Sequence, residues 1–144
     1  MSNILSELST SEFKDAMQLS LENSDSFFHS SDIPNGAKAI ISIKVADVLT
    51  DEDEVYNEEL LAKLRKDLID AEPLERSFLF LPVYEGIDYQ TVTAAMKHTA
   101  RRLKKFESIA GFLLPQTDDF QDEKVRQYFI DELSEKHPDY KYYF

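Results

Sequence analysis

The chain has 144 residues, 42% of them hydrophobic and 31% charged, with 28 acidic against 16 basic side chains and a formal net charge of -12. That composition suits one globular core and excludes a disordered chain, and the acidity argues against binding nucleic acid or anionic membrane over the whole surface. With no cysteine, disulfides, thiolate nucleophiles and Cys-based metal sites are excluded; no apolar run approaches the roughly 18 residues of a membrane span and no basic-then-apolar leader opens the chain, so the cytoplasm is the expected location.

Residues 1–36 read as an N-terminal helix followed by a loop packed on the rest of the domain, and nine serines fall in the first 31 positions. Within this region "STSEFKDAMQLSLEN" has a helical pattern. Ser9 and Glu12 fit a capping box, and Phe13, Met17 and Leu21 recur every four residues. The stretch "NSDSFFHSSDIPNG" breaks that pattern at Pro34-Asn35-Gly36, and its Phe27-Phe28 pair is expected to dock on the core.

From Gly36 onward strands and helices alternate. "AKAIISIKVADVL" is β-branched and alternating, with Ile41, Ile43 and Val45 on one face. "NEELLAKLRKDLIDA" is a helix that turns Leu60, Leu61, Leu64 and Leu68 inward and stops before Pro73. "SFLFLPV" and "IAGFLLP" are near-continuous apolar runs, as strands buried on both faces require. A helix is expected between them over residues 89–107. "DEKVRQYFIDELSEK" is a further helix, with Val125, Tyr128, Phe129 and Leu133 inward, and "DYKYYF" is an aromatic closing strand. Pro82 and Pro115 lie 33 residues apart, as do Val92 and Val125, which reflects the usual length of a strand-helix unit better than a duplication. The expected fold is a single α/β domain over residues 1–144, in the order α-β-α-β-α-β-α-β. Its four-stranded sheet is mainly parallel, or mixed, with right-handed crossovers.

Charge is graded along these elements. Five Lys and Arg residues fall within residues 97–105, and no acid occurs from residue 89 to 106. Setting those five aside leaves -17 on the rest of the chain (-12 less +5). On a wheel of ~100° per residue, Val92, Met96, Thr99, Leu103 and Phe106 form the core stripe. Lys97, Arg101 and Lys104 cluster on the opposite side. Cations near a helix C-terminus complement the macrodipole, so helix stability and solubility account for part of this pattern. The acids gather in loops after strands: Asp51 and Asp53, Glu85 and Asp88, Asp118 and Asp119. In an open parallel sheet these loops share the carboxyl edge. They could ligate Mg²⁺ or Ca²⁺, although acids at helix N-termini also act as caps, and the run around Asp51 lacks the central glycine of an EF-hand.

No HExxH, G-x-S-x-G or Gly-rich phosphate loop is present, and the only glycines are Gly36, Gly86 and Gly111, so a nucleotide cofactor is not expected. Alternation on the last strand sends Tyr140, Tyr142 and Phe144 to one face, where an aromatic edge could pair with a partner. The reading favoured by the sequence is a non-catalytic interaction domain without cofactor: an adaptor, chaperone, inhibitor or immunity-type factor. An acidic mimic of nucleic acid is one variant. Its partner would be another protein or a second copy of the chain, met through Lys97, Arg101, Lys104, Tyr140, Tyr142 and Phe144. Two alternatives stand beside it. One is a divalent-metal-dependent hydrolase built on the six loop carboxylates. The other is nucleic-acid binding through the basic helix at residues 90–106, which lacks support from any RNP-type strand, GXXG loop or zinc finger pattern.

Overall fold

The computed structural model describes residues 5–20 and 27–144. The strands are β1 (Leu5–Ser6), β2 (Met17–Ser20), β3 (Lys38–Lys44), β4 (Ser77–Val83), β5 (Ile109–Leu113) and β6 (Lys141–Tyr143). The α-helices are α1 (Val45–Val48), α2 (Glu58–Ala71), α3 (Tyr89–Arg102) and α4 (Glu123–Ser134). All strands join one sheet of order β1-β6-β5-β4-β3-β2, and every neighbouring pair is parallel. The α/β class and parallel sheet agree with the sequence reading; among the described residues the sheet has six strands, where four were expected.

Strands β3 to β6 follow one another in space as in sequence. Each crossover steps in the same direction, so α2, α3 and α4 all lie on one face. The main core forms there. It joins Ala39, Ile41, Ile43, Phe78, Phe80, Phe112 and Tyr142 of the sheet to Leu64, Leu68, Met96, Ala100, Phe129 and Leu133 of the helices. Val45 belongs to the same core but opens α1, so the strand expected over residues 37–49 ends at Lys44 and residues 45–48 turn helical instead.

Among the described residues, no α-helix covers the opposite sheet face. Its apolar residues Ile40, Leu79, Leu113 and Tyr143 are covered by Phe13, with Leu8 and Ala16 alongside. This placement overturns the predicted N-terminal helix. Residues 5–20 form a strap that begins as β1 beside β6, crosses the open face, and ends as β2 beside β3. Two forces favour the strap over a helix. An uncovered parallel-sheet face is apolar and buries Phe13 well. The sheet edges also supply parallel backbone partners, with further bonds from Leu8 N–H to Phe144 O (2.9 Å) and from Phe144 N–H to Ser6 O (3.0 Å). The predicted capping box does not form. The Ser11 hydroxyl donates to Leu8 O (2.8 Å) and accepts from Phe13 N–H (3.0 Å), a local turn that competes with helix. Glu12 instead lies 3.9 Å from Lys38. Met17, expected on the helix stripe with Phe13, is exposed on β2, and Leu21 lies outside the described residues.

Phe27 and Phe28 do dock on the core. Their amides donate to one Asp67 carboxylate oxygen at 2.7 and 3.1 Å. Burial pushes the Asp67 carboxyl above its usual range, against the pull of these two amides. Gly111 sits where β5 slips one residue against β4, between Phe78 and Leu79. A Cβ there would lie 1.7 Å from the carbonyl oxygen of Lys141, so the β5–β6 approach requires glycine.

Candidate functional site

Helix α3 lies in the helical layer between α2 and α4, because β4 and β5 are central in the sheet. Asp88 caps its start, accepting from Thr91 N–H at 2.7 Å. It buries Val92, Ala95, Met96, Thr99 and Ala100 and turns Ala94, Lys97, His98 and Arg101 outward. The helix ends at Arg102, five residues before the expected limit. Lys104 and Lys105 therefore stand in the turn beyond it, and only Arg101 and Arg102 occupy the last turn.

Neighbouring acids neutralise part of this basic face. Lys97 reaches Glu132 (3.5 Å) and Glu135 (3.9 Å) at the α4 side. On the α2 side, Glu58 receives His98 Nε2 at 2.8 Å and Arg102 Nε at 3.0 Å. Burial alone would push the Glu58 carboxyl up, but His98 and Arg102 outweigh it and hold the group below its usual value. The Tyr56 ring stacks on His98 with centroids 4.3 Å apart. Among the described residues, no ion pair joins Arg65, Arg101, Lys104, Lys105 or Lys136.

Two grooves flank α3. One, of about 840 Å³, runs between α3 and α4, with Tyr56, Ala94, Tyr128 and Lys136 in its lining. The other, of about 610 Å³, runs between α2 and α3 and includes Arg65, Arg102 and Lys105. Arg101 and Lys104 line both. Of the sequence candidates, Lys97, Arg101 and Lys104 thus meet in one site. Sequence reasoning missed Arg65, Tyr56, Tyr128 and Lys136. Tyr128 was assigned inward, yet it is 37% exposed and meets Tyr89 edge-on. Its position on the wheel borders the core stripe, which hid it.

His137 lines the α3–α4 groove and is buried, with Nε2 unpartnered and the ring stacked on Tyr140 at 4.7 Å. Burial, and then the nearby Lys104 charge, lowers its pKa from the ordinary histidine value.

The loop carboxylates lie at the strand carboxyl ends but serve separate tasks. Asp51 and Asp53 are exposed in a loop closed by the Leu49–Tyr56 bridge. Glu85 and Asp118 are exposed, Asp88 caps α3, and Asp119 accepts from the Tyr84 hydroxyl at 2.9 Å. Among the described residues, no group of three or more His, Asp and Glu is placed to hold a metal ion.

The C-terminal aromatics do not form a free edge, because β1 pairs outside β6. Tyr140 and Tyr142 are buried in the core. Burial raises the pKa of Tyr140 and pushes that of Tyr142 up to about 12. Phe144 is partly exposed and lies under the Arg126 guanidinium, 5.4 Å from the ring centroid. No helix among the described residues is long and apolar enough to cross a membrane. Compared with protein-family models, curated proteins and solved structures, the chain gives no match.

Proposed function

We propose that this chain is an interaction domain that docks an acidic protein on the outer face of α3, acting through contact and not turnover. One observation carries the reading. Arg65, Arg101, Lys104, Lys105 and Lys136 gather around two grooves without an ion-pair partner among the described residues, in a chain of net charge -12. On the same face Lys97, His98 and Arg102 are held by local carboxylates, so it is the crowding of the other five around α3 that sets this surface apart. The unpaired set is what electrostatic complementarity to an acidic partner needs. Exposed tyrosine beside arginine adds the residue types that most often carry interface energy.

The test is affinity capture with the native chain, with an Arg101→Glu and Lys104→Glu double variant, and with Lys44→Glu as a control. The expected partner is acidic and is retained by the native and control chains. It is lost from the double variant and in about 1 M salt, where the screening length is about 3 Å. Retention unaffected by the double reversal, or turnover of a small substrate by the purified chain, sinks the proposal. Retention of DNA or RNA in place of protein would transfer the face to nucleic-acid binding.

A further inference from the structure

We infer that the α3–α4 groove is the specific part of this surface and takes an acidic peptide segment with an aromatic or large apolar residue ahead of its carboxylates. The inference rests on the interaction reading above and adds the chemistry of the bound segment. The groove has two unlike halves. Toward the start of α3 it is walled by the exposed Tyr128, which meets Tyr89, with Ala94 among its lining residues, while Tyr56, stacked on His98, stands nearer the cations. Toward the end of α3 it carries Arg101, Lys104 and Lys136. Lys97, between the halves, is already engaged by Glu132 and Glu135.

A helix rises about 1.5 Å per residue, so Arg101 lies roughly 10 Å beyond Ala94 along α3, and Lys104, in the turn after the helix, lies farther on. That distance is covered by about three extended residues. An aromatic side chain seated against Tyr128 and Ala94 therefore places carboxylates two to four residues later, roughly, over the cations. The neighbouring α2–α3 groove is cationic but has no aromatic lining, so it offers charge without a seat for a ring. Burying the ring supplies the non-directional part of the affinity, and the charges fix direction.

Amide chemical shifts of the full chain, titrated with three probes, test the inference. The first is a capped peptide with phenylalanine followed by a run of glutamates, the second is the same run without phenylalanine, and the third is oligothymidylate. The first should bind roughly tenfold tighter than the second, a difference on the scale of one aromatic anchor. Its shifts should centre on Ala94, Lys97, Arg101 and Tyr128. Tyr128→Ser should abolish the difference between the peptides, and Arg101→Glu should weaken both. Equal binding of the two peptides, or shifts confined to the Arg65 side of α3, overturns the groove assignment and leaves the interaction reading intact. Binding of neither peptide, or tighter binding of oligothymidylate, overturns both.

Discussion

Replacing Phe13 by alanine tests the strap directly, and Met17→Ala is its partner experiment. Phe13 is 1% exposed, and its ring meets Tyr143 at 5.4 Å above Ile40, Leu79 and Leu113. Burying a phenylalanine contributes about 1.5–3 kcal/mol, and the cavity left by truncation raises the usual Phe→Ala cost to about 3–5 kcal/mol. The strap is a single layer and can settle into part of that space. The expected loss is therefore about 2–4 kcal/mol, a large share of the roughly 5–15 kcal/mol that holds a domain folded. Met17 is 36% exposed on β2, so its truncation should change stability by no more than about 0.5 kcal/mol. A helix bearing Phe13 and Met17 on one buried stripe would make both substitutions costly. Urea unfolding followed by far-ultraviolet circular dichroism gives the two values. Hydrogen exchange gives the location: in the Phe13 variant the amides of β1 and β2 should exchange faster, while those of β4 and β5 stay protected. Equal costs for the two substitutions, or a Phe13→Ala cost below about 0.5 kcal/mol, would refute the strap.

Gly111→Ala places a Cβ against the Lys141 backbone, which no rotamer relieves, so a loss beyond about 3 kcal/mol is expected in the same urea assay; a near-native midpoint would show that the β5–β6 approach is looser. Asp67→Ala leaves the amides of Phe27 and Phe28 unpaired and should cost about 2–4 kcal/mol, with faster exchange at those two amides; unchanged exchange there would contradict the docking. His137 has a lowered pKa when folded, so the unfolded chain binds more protons as pH falls. Its contribution to stability is complete above the ordinary histidine pKa of about 6.5 and is lost as pH falls through the folded value. His137→Phe keeps a ring against Tyr140 and should flatten the decline in thermal midpoint below that pH; parallel declines in both proteins would remove this role.

Periodicity alone identified most elements. The apolar stripe of α2, with Leu60, Leu61, Leu64 and Leu68 all buried, was legible because a helix selects its own inward face whatever it packs against. The runs that became β4 and β5 were legible for the opposite reason: a central parallel strand is buried almost all round. The concentration of cations on α3 was also plain, as was the absence of acids from the same stretch.

Strand order decided the rest. The four-residue spacing of Phe13 and Met17 suits a helix, but local spacing carries no information about an uncovered sheet face waiting elsewhere. Only the same-direction crossovers of β3 to β6 create that face, and its burial outweighs the local preference. The same order placed β1 outside β6, which buried the terminal tyrosines' strand inside the sheet. It also set α2 and α4 on either side of α3. Glu58, Glu132 and Glu135 could then neutralise some of its cations, while Arg101 and Lys104 were left beside the grooves. Charge on one helix is a property of the sequence. Which of those charges find partners depends on side chains 35 to 44 residues away (Lys97 to Glu132, Arg102 to Glu58), and packing alone brings those together.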